Sequence, residues 1–364
     1  MLIATKMLSL HYLRVFLIVC IIMMGGIIVL FSSSTMYAGE WNDGKHLGQG
    51  KYDGIVNAYE GERKYDKSVT IKYADGSEYS GDLHDDKYQG HGTYKYVDGD
   101  VYIGEWMEGV RHGLGTYKWA ANGDIYIGEW KDDHCQGKGT FKWADGEEYT
   151  GDWKNDKHHG QGTYTEANGD AYNGEWKSDM YHGKGTFKWA DGEEYNGDWK
   201  DGNRHGKGTF KYADGAEYSG DWKDGEHHGQ GTLNYANGDV YIGEWKHAKR
   251  HGVGTYKEAN DGDVYNGDWK DGHRQGKGTL KYADGAEYGG DFENDVRHGI
   301  GMHKYTSGVV YYGEWKNDQR NGKGICAFND EISYDGEWKN DQRSLWDEVV
   351  RERSDGTSYS ELGY

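Results

Sequence analysis

Tyr149-Thr-Gly-Asp-Trp-Lys154 is followed by Asn155-Asp-Lys-His-His159, then by Gly160-Gln-Gly-Thr-Tyr-Thr165, then by Glu166-Ala-Asn-Gly169. Two short alternating runs joined by a polar stretch have the form of a β-hairpin. Side chains of a strand alternate between faces, so Tyr149, Gly151 and Trp153 share one face of the first strand. Gly160, Gly162 and Tyr164 share one face of the second. Asp152, Lys154, Gln161 and Thr163 point the other way. The expected sheet has an aromatic face, where Gly leaves room for rings from adjacent strands, and a charged, Thr-rich face.

The same frame, Tyr-x-Gly-[Asp/Glu]-[Trp/Phe/Leu], begins at Tyr79, Tyr102, Tyr126, Tyr149, Tyr172, Tyr195, Tyr218, Tyr241, Tyr265, Tyr288, Tyr311 and Tyr334, at steps of 23 or 24 residues. A copy at Tyr37 has its own Gly48-Gln-Gly50, and a degenerate copy at Tyr59 lacks Gly-x-Gly. A period of this length marks a repeat array in which each unit is stabilised by its neighbours. Keeping the rings on one face requires an even-numbered hairpin loop and an odd-numbered turn between repeats, such as Ala167-Asn168-Gly169. Ala120 to Gly123 and Ala259 to Gly262 carry one residue more, which predicts bulges or widened turns there.

Tyr-x-Gly-x-Trp, then Gly-x-Gly-Thr-[Tyr/Phe], recurring at 23 residues over residues 37 to about 343, resembles the MORN (membrane occupation and recognition nexus) repeat. The resemblance implies a single-layer antiparallel sheet that curls over its aromatic face into a groove, often dimerising or holding an extended or helical peptide, with roles in membrane association and scaffolding. Leu83 and Phe292 stand where the pattern has Trp.

Composition agrees with an all-β array. The 364 residues include 60 Gly, 15 Trp, 32 Tyr and no Pro, so burial rests on rings and every strand keeps its backbone N–H groups for ladder bonds. A net charge of −20, spread along the chain, repels phosphate backbones and argues against nucleic acid as partner and against phosphoinositide binding. Cys20, Cys135 and Cys326 form no disulfide framework or zinc spacing.

Residues 15–31, VFLIVCIIMMGGIIVLF, are apolar throughout and preceded by Lys6 and Arg14. An uncleaved membrane-spanning helix and a cleaved signal peptide both fit this segment. The upstream positive charges would place the repeats on the non-cytoplasmic side, or leave them secreted or periplasmic after cleavage. Ser344 with Asp347 form a capping box, and Leu345, Trp346, Val349 and Val350 give Ser344 to Arg353 the pattern of a short helix that caps the sheet edge. The organisation read from sequence is thus an N-terminal segment (1–35), an array of about thirteen repeats (36–343), and a capping helix with tail (344–364).

No enzymatic chemistry is legible. Each Gly-x-Gly, such as Gly183-Lys-Gly185, falls in a return strand rather than before a helix, and Ser residues lie mostly outside the repeats. His112, His159, His182, His205, His228, His251 and His298 precede the Gly-x-Gly and should line the hairpin loops about 10 Å apart, too far to share a metal ion. Asp-Gly and Asn-Gly pairs serve turns and lack calcium-loop spacing. No cofactor or metal is expected. A continuous aromatic strip exceeds what a monomer normally leaves exposed. Tyr126, Trp130, Tyr149, Trp153, Tyr172, Trp176, Tyr195, Trp199, Tyr218, Trp222, Tyr241 and Trp245 are therefore the candidate binding face of a membrane-anchored scaffold. The partner would be a protein or a second copy of the chain, the alternative being membrane lipid or polysaccharide.

Overall fold

The computed structural model describes residues 27–32, 35–42, 45–47, 67–329, 331–343, 350–352 and 358–360. The chain divides into two units, Met1–Lys64 and Tyr65–Tyr364. In the first, the strand Thr35–Asn42 pairs antiparallel with Ile27–Ser32 and with Lys45–Leu47. In the second, 25 antiparallel strands follow one another in chain order from Lys67–Lys72 to Gln342–Arg343. No pairing joins the first of these strands to the last among the described residues. The array is a single open sheet, as the repeat implied.

The described residues contain no helix, and none long and apolar enough to cross a membrane. The helix expected over residues 15–31 falls outside the described residues up to residue 26. Its last part belongs to the strand Ile27–Ser32, where Ile27, Ile28 and Val29 are β-branched and suit a pleated backbone. The expected capping helix is likewise outside the described residues except for Val350–Glu352, a strand paired with Ser358–Ser360. In frame, Leu345 and Asp347 stand where earlier repeats have their two glycines, and the described pairing with the strand Glu331–Lys339 ends at Arg343.

Both turn expectations hold. The strand Glu148–Lys154 returns as Lys157–Thr165 through a two-residue loop, with Asn155 and Asp156 at φ 48° and 63°. Both central residues are left-handed, as a type I′ hairpin requires, which explains the Asp, Asn and Gly pairs at these loops. Between repeats, the Glu166 N–H donates to the Asp170 carbonyl (2.8 Å) around Ala167-Asn168-Gly169. The two longer connections close one residue wider, from Trp119 N–H to the Asp124 carbonyl (3.0 Å) and from Glu258 N–H to the Asp263 carbonyl (2.9 Å).

Strict alternation fails at one place in each hairpin. Gly151 pairs with Gly162, but the next residue, Asp152, pairs with His159, so Gly160 and Gln161 form a bulge on the return strand. Gly160 is left-handed (φ 57°), and a Cβ there would meet Asp152 Oδ2 at 2.6 Å. It therefore faces away from the rings, contrary to the simple period-two assignment. The Asp152 carboxylate fills the bulge by accepting the Gln161 N–H at 2.8 Å. Glu175 does the same for Lys184 (3.0 Å), Asp198 for Lys207 (2.9 Å) and Glu314 for Lys323 (3.0 Å). The acid before each Trp is thus a structural cap for a backbone N–H, as well as part of a charged outer face.

Candidate functional site

The aromatic face is built in two layers, starting from the tyrosine that opens each repeat. Tyr149 lies along its own hairpin over the two glycines: a Cβ on Gly162 would sit 2.4 to 2.6 Å from the Tyr149 ring. Its hydroxyl donates to the Asp152 carbonyl at 2.9 Å, a bond repeated in every copy from Tyr79 to Tyr334. Two indoles meet this ring edge to face, Trp153 of the same repeat at 5.1 Å and Trp176 of the next at 5.2 Å. Trp176 Nε1 also donates to the Gly162 carbonyl at 3.0 Å. Ring contacts and one indole hydrogen bond thereby clamp each Trp-bearing repeat from Trp106 onward to its predecessor.

A second side chain closes over the tyrosine nine residues later in the chain, and this position varies. His158 stacks on Tyr149 with ring centroids 3.7 Å apart, and His227 on Tyr218 at 3.6 Å. Burial pushes the His158 imidazole down to about 4, and burial followed by the Arg204 charge does the same to His227. In other repeats arginine takes this place: the Arg297 and Arg320 guanidinium carbons lie 4.3 and 4.1 Å from the Trp315 and Trp338 ring centroids. Each also donates to its neighbour's hairpin turn, Arg320 Nη2 reaching the Asp341 carbonyl at 3.0 Å. Cys135 occupies this position once, and burial, followed by the Asp156 charge, pushes its thiol up to about 12, leaving an inert side chain.

The residues proposed as the binding face are therefore the core. Tyr126, Tyr149, Tyr172, Tyr195, Tyr218 and Tyr241 are each 0% exposed, and Trp130, Trp153, Trp176, Trp199, Trp222 and Trp245 between 4% and 7%. The rings satisfy one another, so a ligand on this side meets other groups. A cavity of about 550 Å³ lies instead on the opposite face, lined by Lys184, Asn196, Lys207, Thr209, Gln230 and Thr232, with Gly197, Gly208, Gly220 and Gly231 also in its wall.

At the end of several return strands the aromatic side carries a ridge whose inner rings belong to the core and whose outer rings are partly exposed. Residues 15 and 17 positions after the opening tyrosine carry rings in zigzag contact: Tyr117–Trp119 at 4.4 Å, Trp119–Phe141 at 5.2 Å, Phe141–Trp143 at 4.5 Å and Trp143–Tyr164 at 5.7 Å. It continues through Phe187–Trp189 at 4.4 Å, Trp189–Phe210 at 5.3 Å and Phe210–Tyr212 at 4.5 Å. Trp119, Trp143, Trp189 and Tyr212 are half-buried. Unlike the core indoles, Trp119, Trp143 and Trp189 make no hydrogen bond through Nε1 among the described residues. Alternation along each return strand carries this signal, but the motif as read from sequence stopped at Thr-[Tyr/Phe], two residues short of it.

The histidine row lies in the return strands rather than in the loops, because the loops are only two residues long. His159 pairs across from Asp152 and His182 from Glu175. Among the described residues no group of three His, Cys, Asp or Glu could hold a metal ion.

The profile of the MORN repeat matches thirteen segments between residues 37 and 344, passing over the degenerate copy at Tyr59. The chain belongs to the MORN repeat family. Its repeats make it a scaffold of the binding-fold type. A comparison with curated proteins finds no match. Among solved structures, the MORN array is similar to the TCP domain of Drosophila melanogaster SAS-4, at 15% identity, 52% of this chain, 99% of that one and a TM-score of 0.20. The TCP10 domain of Danio rerio CPAP shares 11% identity over 74% of this chain and 100% of its own, at 0.14. Virginiamycin B lyase from Staphylococcus aureus shares 11% over 74% and 83%, at 0.13. At these scores the likenesses carry no functional argument.

Proposed function

We propose that this MORN protein is a non-enzymatic interaction scaffold, tethered by residues 15–31 to a membrane with the repeats on the non-cytoplasmic side, and that it binds a protein partner along the ridge of the aromatic side. The supporting observation is the contrast between the two ring layers. The Tyr and Trp core is sealed, whereas Trp119, Trp143 and Trp189 are only partly buried and, among the described residues, have no partner for the indole donor. Half-buried aromatic residues with a polar tip are what protein recognition draws on most. The charged outer face suits an anionic lipid surface poorly, since Lys184 and Lys207 pair with Asp198 and Asp221.

A photo-crosslinking residue placed at Trp189 or Tyr212, and in parallel at Thr209 or Thr232 in the opposite cavity, tests this in the full-length protein in its own cells. Adducts from the ridge positions are expected. Adducts from Thr209 and Thr232 alone would move the binding surface to the other face, and none from either would end the scaffold reading. Alkaline extraction of membranes tests the tether: the full chain should stay with the membrane, and its release would rule the anchor out.

A further inference from the structure

The ridge has a period, and the period has a match. Its outermost column is Trp119, Trp143, Glu166, Trp189 and Tyr212, one residue per repeat. Consecutive members are two strands apart, roughly 9.6 Å at ~4.8 Å per strand. A polyproline II helix rises ~3.1 Å per residue with three residues per turn, about 9.3 Å. Prolines three apart along such a segment would meet successive rings of this column in register. Polyproline backbone lacks N–H groups and presents its carbonyls outward, which is the complement of indole donors with no partner of their own.

The column is interrupted once within this stretch, by Glu166 between Trp143 and Trp189. Glu166 shares its surroundings with Glu147 and Asp170. Tyr164 donates its hydroxyl to Glu147, and the Asp170 carboxylate accepts the Ala190 N–H at 2.8 Å. No Lys or Arg among the described residues pairs with any of these three acids. Burial first, then Asp170 and Glu147, hold the Glu166 carboxyl above the usual range, so a cation arriving from outside would relieve a local excess of negative charge. A neutral glycan could stack on the same rings but would gain nothing from this notch.

We infer that the ridge from Trp119 to Tyr212 is a docking site for an extended proline-rich protein segment read at every third residue, with prolines over Trp119, Trp143 and Trp189 and an arginine or lysine over Glu166. This rests on the scaffold reading above and names the partner's chemistry.

Fluorescence anisotropy of the full-length protein in detergent micelles, with labelled synthetic peptides, tests it. The first peptide carries prolines three apart on either side of a central arginine. A second spaces the prolines four apart, and a third replaces the arginine by glutamate. The first should bind about tenfold or more tighter than either control, a difference of roughly 1.4 kcal/mol. Trp143→Ala should weaken it about tenfold, while Glu166→Arg should reverse the preference between the arginine and glutamate peptides. That charge reversal needs a folded ridge to appear at all, so it separates recognition from misfolding. Equal binding of the four-spaced peptide, or no reversal with Glu166→Arg, would overturn the proposal. So would binding of cello-oligosaccharides in place of the peptide. Ridge crosslinks without peptide binding would sink this inference and leave the scaffold standing.

Discussion

Two aromatic columns run along the same side of the sheet, and their fates differ. The column of Tyr149 and Trp153 is closed to solvent; the column of Trp143 and Trp189 is half open. Composition does not separate them, since both are rich in Trp and Tyr. Their neighbours do. Tyr149 lies on glycines, flanked edge to face by two indoles and covered by His158, so every side of its ring is in contact. Trp143 sits beside a turn and touches Phe141, Tyr164 and His158 on its inner side only. An aromatic residue in this fold is core where bare backbone lies beneath it and partly open to solvent where it borders a turn.

Truncating one ring of each kind should break the comparison most visibly. Trp153→Ala removes two edge contacts and the indole bond to the Gly139 carbonyl (3.1 Å), and should cost about 3–5 kcal/mol by urea denaturation. Trp143→Ala should cost only about 1 kcal/mol, as befits a half-buried surface ring. Equal losses would mean that the ridge is core after all.

Gly162→Ala comes next. A methyl group there collides with the Tyr149 ring, and overpacking of this kind costs about 1–3 kcal/mol. Hydrogen exchange should accelerate first in the strands Glu148–Lys154 and Lys157–Thr165. The same substitution at Gly192, where a Cβ would meet nothing within 4 Å, pays only for its left-handed backbone (φ 96°) and serves as the control.

The smallest effect concerns His158 and His227 and sharpens the comparison with the arginine-topped repeats. Their folded pKa of about 4 lies below the ordinary value of 6.5, so the folded state binds fewer protons than the unfolded one. Stability is full above about pH 6.5 and is lost as pH falls towards 4, by roughly 2 kcal/mol per histidine at pH 5. The repeat topped by Arg320 should show no such loss, whereas the one topped by Arg297 carries a buried histidine of its own, His303, also pushed down to about 4 by burial, and should share it. Thermal melts from pH 7 to pH 4.5 of the protein and of a His158→Phe, His227→Phe variant check this. A variant as acid-sensitive as the parent would refute the assignment.

Much of this was legible in the sequence. The period of the Tyr frame and the alternation of Tyr149, Gly151 and Trp153 yield the strands, their order and their faces. The Asn155-Asp156 and Ala167-Asn168-Gly169 lengths give the turns, because side-chain direction in a strand has a period of two and loop length sets its phase. The site was less legible, because alternation assigns a ring to a face without saying how deeply it is covered.

Sequence alone determined that this chain is a MORN array with one aromatic side, since pattern and spacing are properties of the chain. Only the tertiary structure decided that Gly160 turns away from the rings at a bulge and that Asp152 caps it. The structure likewise decided that Trp176 fastens one repeat to the preceding one, and that the exposed rings are those of Trp143 and Trp189 rather than Tyr149 and Trp153. Each of these depends on which atoms from neighbouring strands converge on a point, and that convergence exists only once the strands are paired.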